Sequence, residues 1–338
     1  MKTLVLSLAA GAVLSLAAGS ASATTLADVT KKGFVQCGVN TGLPGFASPD
    51  DQGNWTGFDI DYCRALAAAI FGDPKAVKFT PLNAKERFTA LQSGEIDVLI
   101  RNTTWTMSRD TSLGLSFAGV NYYDGQGFMV KKALGVSSAL ELTGASVCVQ
   151  TGTTTELNLA DFFKGHKMAY NPVVFEPLPE TEQAYDTGRC DAYTTDASGL
   201  YATRLRLTKP DDHIVLPEII SKEPLGPVVR QGDDQWFNIV KWTHYALLTA
   251  EEEGVTQANV DQMKGSDNQA IKRLLGVDGK FGEGIGLKND WAYNIVKAVG
   301  NYGEVFDRNI GASSKLQIAR GLNALWSKGG LQYAPPIE

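Results

Sequence analysis

Residues 77–100 read VKFTPLNAKERFTALQSGEIDVLI, and their pattern points to one fold class. Residues 77–82 are predicted to form a strand. Residues 85–93 are predicted to form a helix that ends at Gly94, and residues 96–100 a second strand. The second strand is continuously apolar, which is typical of strands buried on both faces of a parallel sheet. The stretch is therefore a strand–helix–strand unit of an α/β protein.

The same alternation continues on both sides of this unit. Residues 34–39 are predicted to form a strand, followed by a helix over residues 59–71 with Asp59 as its N-cap. A second alternating series begins near residue 146 and ends near residue 205. Two similar α/β lobes are therefore expected, consistent with about 150 residues per domain.

Two further strand-like segments, residues 127–132 and 226–230, are predicted to carry the chain between the lobes. The first lobe would then comprise residues 24–126 and 229–338, and the second lobe residues 127–228. The C-terminal part is predicted to form helices near residues 234–252, 289–302 and 314–326, with an irregular insertion over residues 254–286.

The N-terminus has the features of a secretory signal peptide over residues 1–23. Lys2 precedes an apolar stretch that is too short to span a bilayer, and Ala21-Ser22-Ala23 fits a small-residue cleavage site. The next residue is Thr24, so there is no cysteine for lipid attachment at that position. We therefore expect a soluble exported protein.

The charge balance and the cysteine and histidine content indicate which partners and which kinds of site are expected. With 31 Lys and Arg against 37 Asp and Glu the formal charge is −6, so nucleic acid is not an expected partner. In an oxidising compartment the four cysteines favour disulfides over metal or redox sites, and their spacing leaves all three pairings open. The three histidines have no ligand-like spacing, so we expect neither a metal nor another cofactor.

Polar clusters follow four of the predicted strands, at residues 40–46, 102–109, 151–155 and at Asp196. In open parallel sheets, ligands bind beyond the carboxyl ends of the strands, where helix N-termini present free N–H groups. The clusters supply one cation, Arg109, and one anion, Asp196. This combination suits a zwitterion, whose carboxylate would be bound by Arg109 and by N–H groups near Thr154, and whose ammonium by Asp196.

Each of these residues also has an ordinary structural interpretation. Arg109 could form a solvated ion pair with the adjacent Asp110, which contributes little. Asp196 could cap the helix that follows it, and residues 153–155 could form only a helix cap. The joint placement of the clusters at four strand ends favours a binding site.

The sequence Gly57-Phe58-Asp59-Ile60-Asp61 resembles the signature of the bacterial solute-binding proteins of family 3, apart from Tyr62 at a packing position that is usually aliphatic. The resemblance extends over about residues 24–253, and residues 101–106 are most similar to the general L-amino-acid-binding periplasmic proteins of ABC transporters. Further motifs in the order and spacing of the family are residues 91–97, Asn102-Thr103-Thr104 with Arg109, Gly152-Thr153-Thr154 with Glu156, and Gly188-Arg189-Cys190-Asp191 ahead of Asp196.

The resemblance implies a type II periplasmic binding protein fold, in which two crossing strands join two α/β lobes and the ligand cleft lies between them. It implies a binding component of an ABC importer that closes on an L-amino acid. The specificity is expected to be broad, with polar, acidic and amide side chains included. The protein is expected to be a monomer that docks transiently on an inner-membrane ABC permease.

The resemblance also implies roles for individual residues. Arg109 and Thr104, together with the backbone at Thr154, are expected to bind the α-carboxylate of the ligand. Asp196 and the carbonyl group of Asn102 are expected to receive the α-ammonium.

Three further positions concern the ligand side chain. Arg87 matches the arginine that reaches this side chain in acidic-amino-acid binders, although a surface arginine on an amphipathic helix is an equal alternative. Phe46 and Trp105 are candidate walls of the pocket, with ordinary packing as the stronger alternative.

The implied lobes contain two cysteines each. A disulfide between the lobes would oppose closure, so we expect Cys37 to pair with Cys63 and Cys148 with Cys190.

Two other classes remain as alternatives. The same fold carries exported dehydratases of the cyclohexadienyl or arogenate type, in which a cleft carboxylate acts as general acid or base. The sequence contains no GxSxG, P-loop or HExxH motif, and the zwitterion accounts for the cleft charges, so we do not expect an enzyme. A tethered sensor domain is disfavoured because no second long apolar run follows the signal peptide.

Overall fold

The computed structural model describes residues 24–338, so the predicted signal peptide lies outside the described residues. The strands are β1 Val35–Asn40, β2 Ser48–Pro49, β3 Trp55–Thr56, β4 Val77–Leu82, β5 Val98–Leu99, β6 Leu115–Phe117, β7 Tyr122–Asp124, β8 Gln126–Lys131, β9 Ser146–Gln150, β10 Asn171–Phe175, β11 Ala192–Asp196, β12 His213–Val215, β13 Glu223–Leu225 and β14 Val228–Arg230. The helices are α1 Thr25–Lys32, α2 Phe58–Phe71, α3 Glu86–Ser93, α4 Met107–Ser112, α5 Thr154–Gly165, α6 Leu178–Asp186, α7 Ala197–Arg204, α8 Asp234–Glu252, α9 Val260–Met263, α10 Gln269–Leu274, α11 Phe281–Gly284, α12 Trp291–Val299 and α13 Tyr302–Asn309.

The first lobe is built on a five-stranded sheet in the order β4-β1-β5-β14-β6. Strand β1 runs parallel to both β4 and β5, as the quoted strand–helix–strand unit predicts, and β14 is antiparallel to its neighbours. The largest apolar core of the protein lies in this lobe, where α2, α8 and α12 pack against one another. Strand β1 is buried almost throughout, and Asn40 at its carboxyl end lines a pocket together with residues of the second lobe.

The second lobe has a five-stranded sheet in the order β10-β9-β11-β8-β12. Strands β9, β10 and β11 are parallel, whereas β8 pairs antiparallel with both β11 and β12. Helix α5 follows β9 and helix α7 follows β11, so the N-termini of both helices lie at the same edge of the sheet. This arrangement matches the expectation of two similar α/β lobes.

The chain crosses between the lobes at β7 and β13, which form a separate two-stranded antiparallel sheet. The predicted crossing segments, residues 127–132 and 226–230, lie a few residues later in the chain. Their apolar residues are instead buried in the two large sheets, because β8 is a strand of the second-lobe sheet and β14 is a strand of the first-lobe sheet.

The C-terminal region differs from the sequence prediction. The helix predicted over residues 289–302 is divided: α12 ends at Gly300, whose φ is +78°, and Asn301 begins α13 with a reciprocal capping box. Residues 314–326, predicted as a helix, are irregular with a 3₁₀ turn at Gly321–Asn323. The insertion over residues 254–286 contains the three short helices α9, α10 and α11.

The irregular C-terminal segment braces the crossing strand β7. The side chain of Asn323 accepts a hydrogen bond from the N–H of Tyr123 at 2.7 Å and donates to the carbonyl of the same residue at 3.0 Å. Tyr302 also donates its hydroxyl proton to the carbonyl of Asn121 at 2.9 Å. These bonds give hydrogen-bond partners to backbone groups at β7 and Asn121 that the two-stranded crossing sheet does not pair.

Each lobe contains one disulfide, in the pairing expected. Cys37 on β1 is bonded to Cys63 on α2, with a Cα–Cα distance of 6.2 Å. Cys148 on β9 is bonded to Cys190, which lies just before β11, with a Cα–Cα distance of 5.6 Å. Neither bond crosses the cleft, so neither prevents the lobes from moving apart.

Candidate functional site: the cleft between the lobes

A cleft between the lobes has about 470 Å³ of space not occupied by protein atoms when the space open to solvent at its mouth is included. Four of the elements that meet there are the ends of β1, β9 and β11 and the start of α5, as the strand-end clusters predicted. The residues that line it are Asn40, Leu43, Arg87, Arg101, Asn102, Thr104, Gln150, Thr153, Thr154, Thr155, Leu178, Tyr193, Thr195, Asp196 and Gly199.

Five of the six predicted ligand-binding residues line this cleft, namely Asn102, Thr104, Thr154, Asp196 and Arg87. Arg87 is 3% exposed, so its interpretation as a surface arginine is wrong. The hydroxyl oxygens of Thr104 in the first lobe and Thr154 in the second lobe are 3.3 Å apart. The structure therefore brings residues from both lobes into one site, although they are far apart in the sequence. The candidate walls do not belong to it. Phe46 is buried in the aromatic core and Trp105 stacks on Phe117.

The sixth residue, Arg109, lies immediately behind Thr104. Its Nη1 donates to the Thr104 carbonyl at 2.9 Å, and its guanidinium lies 5.0 Å from the centre of the Phe88 ring. Burial lowers the pKa of Arg109, while the negative charges of Glu223 and Asp196 act in the opposite direction. Within residues 24–338 no carboxylate oxygen lies within 4 Å of this guanidinium, so the solvated pair with Asp110 is not formed.

Asp196 ends β11 and occupies the N-cap position of α7, but its side chain makes no capping hydrogen bond. The capping interpretation of this residue is therefore not supported. Burial, followed by the nearby charges of Asp124 and Glu223, raises the pKa of Asp196 well above its usual range. A cation placed in the cleft would stabilise the ionised form of this carboxylate.

Asn102 has a left-handed backbone conformation, with φ of +30°. Its N–H donates to Asp59 Oδ2 at 3.1 Å, and its side-chain oxygen accepts from Asn40 at 3.0 Å. Asp59 was predicted as the N-cap of α2, but this helix begins at Phe58, and the carboxylate is turned toward Asn102 instead. Burial raises the pKa of Asp59 to about 7. These contacts fix the loop that carries Asn102.

The N-terminus of α5 faces the cleft. Thr153 caps it by accepting from the N–H of Glu156 at 3.2 Å, as predicted. The reciprocal half of the predicted capping box is absent there, because Glu156 accepts from the N–H of Gly152 at 3.1 Å and from Thr151 at 3.0 Å. The helix terminus thereby presents a region favourable to a negatively charged group.

Glu223 is a site residue that the sequence analysis missed. It lies on the crossing strand β13, is 1% exposed, and accepts hydrogen bonds from four side chains. Its Oε2 accepts from Thr104 at 2.6 Å and Thr154 at 2.8 Å, and its Oε1 from Asn158 at 2.8 Å and Ser221 at 2.6 Å. The partners come from both lobes and from the crossing segment itself, so this carboxylate joins three parts of the molecule.

Contacts at the rim show that the cleft is closed. On one side, Glu176 of the second lobe accepts from Lys85 at 3.2 Å and from Asn83 at 3.3 Å. On the other side, Arg206 of the second lobe donates to the carbonyl of Gly42 at 2.8 Å. Inside the cleft, the contact between the hydroxyl groups of Thr104 and Thr154 also joins the two lobes.

Within residues 24–338, no group of three or more His, Cys, Asp or Glu side chains has an arrangement that could hold a metal ion. None of the helices described there is both long enough and apolar enough to cross a membrane.

Two α/β lobes, a pair of crossing strands and a closed polar cleft define a two-lobed solute-binding protein. Residues 35–262 match the family described as bacterial extracellular solute-binding proteins, family 3, and the chain belongs to this family. The chain is 70% identical over 341 residues to the general L-amino acid-binding periplasmic protein AapJ of Rhizobium johnstonii, covering 100% of both. It is 59% identical to the glutamate/glutamine/aspartate/asparagine-binding protein BztA of Rhodobacter capsulatus, covering 97% of each.

A solved structure supports the same classification. It is a periplasmic binding protein of an ABC transporter from Brucella ovis with glutathione bound, and it superposes with a TM-score of 0.93 at 68% identity. The superposition covers 94% of this chain and 100% of that chain. These relatives are named as binding proteins and not as enzymes.

Proposed function

We propose that this protein is the periplasmic binding component of an ABC importer for L-amino acids, with broad specificity that includes polar, acidic and amide side chains. The observation that carries the proposal is the placement of two buried side chains of opposite charge type at one closed cleft, Asp196 in its lining and Arg109 directly behind Thr104. Neither has an oppositely charged side chain within 4 Å among the described residues. A zwitterionic ligand would supply a partner for each.

The α-carboxylate would bind to the guanidinium of Arg109 and to the backbone at Thr154, where the N-terminus of α5 favours a negative charge. In this structure the hydroxyl of Thr104 donates to Glu223. Since a hydroxyl has only one proton, binding through Thr104 requires this hydroxyl to exchange Glu223 for the ligand carboxylate.

The α-ammonium would bind to Asp196 and to the carbonyl of Asn102. The raised pKa of Asp196 supports this role, because a neighbouring cation would offset the desolvation and the like charges that raise it. The contact of Asp59 with the N–H of Asn102 would hold the Asn102 loop in place for this interaction.

We also propose the molecular context in which the cleft works. Residues 1–23 would be removed as a signal peptide, and the mature monomer would dock transiently on an inner-membrane ABC permease. The lobes would comprise residues 24–126 with 229–338, and residues 127–228; β7 and β13 lie close to both boundaries and would serve as the hinge. The periplasmic names of the relatives support this placement.

The test is a thermal-shift and calorimetric screen of the mature, ligand-stripped protein against the common L-amino acids and glutathione, with D-isomers and 2-oxo acids as controls. A ligand at a hundredfold excess over its Kd stabilises the folded state by about 2.7 kcal/mol. Shifts with several L-amino acids that clearly exceed those with the corresponding 2-oxo acids would support the proposal. An absence of any shift with L-amino acids would refute it.

A further inference from the structure

The side chain of Asn323 takes the place of a third strand beside the crossing strand β7. Tyr123 of β7 lies opposite Pro224 of β13, which has no N–H to donate. The N–H and the carbonyl of Tyr123 are bonded instead to the amide of Asn323, at 2.7 and 3.0 Å. Paired residues of antiparallel strands exchange the same two bonds. Asn323 is 4% exposed, so this clamp on Tyr123, the Asn323 clamp, is shielded from water.

The segment that carries the Asn323 clamp is fixed to the first lobe. Arg320 donates to the carbonyl of Asn323 from Nε at 3.1 Å and from Nη2 at 3.0 Å, and its Nη2 also donates to Glu251 of α8 at 3.0 Å. The indole N–H of Trp326 donates to Glu252 of the same helix at 2.9 Å. This segment lies after residues 35–262, the part of the chain that matches the family. The clamp therefore moves with α8 and the rest of the first lobe.

The second crossing strand, β13, is held by the first lobe at the same level. The carbonyl of Pro224 accepts from the N–H of Trp105 at 2.8 Å, and the N–H of Gly226 donates to the carbonyl of Thr103 at 3.0 Å. Because Pro224 lies opposite Tyr123, the first lobe fixes both crossing strands up to the same pair of residues.

The next residues of the first crossing strand contact the second lobe instead. Asp124 accepts a hydrogen bond from the hydroxyl of Ser198 on α7. The carbonyl of Gly125 accepts from the N–H of Ala197, at the start of the same helix, at 2.7 Å. The backbone thus passes from the first lobe to the second between Tyr123 and Asp124.

Glu223 is the residue of β13 that lies opposite Asp124. It accepts from Thr154 and Asn158 of the second lobe, and also from Thr104 of the first. The change from one lobe to the other therefore occurs at the same pair of residues on both crossing strands.

We propose that Asn323 is a positioning residue that confines the bending of the crossing strands to the step after Tyr123 and Pro224, and so limits how widely the empty lobes open. The inference rests on the proposed function, because it presupposes that the lobes open to admit a ligand. Without the clamp, Tyr123 also becomes free to bend, and the open state gains conformational entropy. The closed state, held by the contacts in the cleft, gains much less. Loss of the clamp therefore favours the open protein.

The test is Asn323→Leu, which is similar in size and can make neither bond to Tyr123. Spin labels at Lys75→Cys in the first lobe and Lys164→Cys in the second, both exposed positions, report the distance between the lobes by double electron–electron resonance. In the ligand-free variant the distribution of distances should be broader than in the labelled wild type. With saturating L-glutamate the two distributions should coincide, because the ligand holds the lobes together.

Two further measurements follow from the same reasoning. The affinities for L-glutamate and L-glutamine, measured by calorimetry, should both fall by the same factor of about 10, which corresponds to freeing the backbone of one residue. The amide hydrogen of Tyr123 should exchange with solvent faster than in the wild type, because its acceptor is removed.

The matched control is Asn309→Leu. Asn309 also donates two hydrogen bonds, to Asp61 at 2.7 Å and to the carbonyl of Val305 at 2.9 Å, but both lie within the first lobe. Its removal should leave the distance distribution and both affinities close to those of the wild type. Asn323→Asp keeps the acceptor for the N–H of Tyr123 and loses the donor to the carbonyl, so its effects should be intermediate.

An unchanged distance distribution in Asn323→Leu would overturn the proposal, and so would equal broadening in Asn309→Leu, since any loosening of the first lobe would then suffice. Unequal losses of glutamate and glutamine would contradict it as well, because opening acts on all ligands alike. If Asn323→Leu does not fold, Asn323→Asp and the exchange rate of the Tyr123 amide in the wild type decide the matter. An amide there that exchanges as fast as an unprotected peptide contradicts the clamp.

Failure of the inference and failure of the proposed function are distinguishable. A wild type that binds no L-amino acid contradicts the proposed function. The distances between the lobes in the ligand-free proteins still test the role of Asn323 in that case.

Discussion

Replacing Glu223 should weaken closure of the cleft and therefore the binding of every ligand. This carboxylate accepts from Thr104 in the first lobe and from Thr154 and Asn158 in the second. In Glu223→Gln the side chain keeps its size but loses its charge. The two threonine hydroxyls can reverse and accept from the new amide, whereas the amide of Asn158 can still find the single remaining oxygen.

The size of the effect follows from these three contacts, which link the crossing strand β13 to Thr104 of the first lobe and to Thr154 and Asn158 of the second. A hydrogen bond to a charged group contributes about 1.5–3 kcal/mol, and a neutral one about 0.5–1.5 kcal/mol. Each contact thus loses about 1 kcal/mol, which gives about 3 kcal/mol for the closed state. The equilibrium between closed and open protein should shift by about 150-fold. Because a ligand binds in proportion to the competent fraction, its apparent affinity falls by up to the same factor.

The assay combines small-angle X-ray scattering of the ligand-free protein with calorimetric titration. Glu223→Gln should scatter as a more open molecule and should bind glutamate, glutamine and leucine with similar losses. The matched control is Ser221→Ala. Ser221 also donates to Glu223, at 2.6 Å, but it lies on the same crossing segment and joins no lobe to another. Its removal should leave both measurements close to those of the wild type.

The reasoning is refuted if Glu223→Gln remains as closed as the wild type and keeps its affinity. A loss confined to one class of ligand would also contradict it, because closure acts on all ligands alike. Glu223 would then contact the ligand and not hold the lobes together.

The other predictions concern the charges of the cleft. Arg109→Ala should cost about 2–5 kcal/mol of binding for all α-amino acids, measured by calorimetry, since a buried charge pair is lost. Asp196→Asn should weaken amino acids more than deaminated analogues. The pKa of Asp196 is raised in the free protein, so ligand binding to the wild type should weaken and should release protons as the pH falls through that pKa. Titrations in two buffers would reveal the proton release. Asp196→Asn should show neither effect. The pKa of Asp59 is raised to about 7, so the folded wild type favours the protonated carboxyl and loses stability as the pH rises from about 4 to 7. Asp59→Asn cannot ionise at this position. Its free energy of unfolding, measured by denaturant titration, should therefore exceed that of the wild type by up to about 4 kcal/mol over this pH range.

Much of the fold could be predicted because its signals are local. The alternation of strands and helices, the apolar strand at residues 96–100 and the glycine after α3 are all visible within short windows of sequence. The positions of Asn102, Thr154 and Asp196 followed from one rule, that parallel strands bring their carboxyl ends to one edge. The failed helix over residues 314–326 shows the limit of this approach. Its apolar pattern is helical, but long-range pairing of Asn323 with β7 overrides the local preference.

Glu223 and Arg101 could not be assigned in this way. Glu223 lies in a short strand next to Pro224, and its partners Thr104 and Thr154 are 119 and 69 residues away in the chain. No periodicity links residues so distant. Arg101 directly follows the buried run 96–100, and a cation in that place was the one available signal, since a charged residue at the end of a buried strand needs a partner.

The role of each cleft residue can be identified from which ligands lose affinity in its variant, and not from the size of any single loss of affinity. Arg109 would contact the α-carboxylate, so its removal should affect every α-amino acid and also the 2-oxo acids. Asp196 would contact the ammonium, so deaminated ligands should be insensitive to it. Glu223, which holds both lobes, should distinguish none of these ligands. A variant whose losses follow another residue's pattern would therefore reveal an incorrect assignment even if its affinity fell as far as predicted.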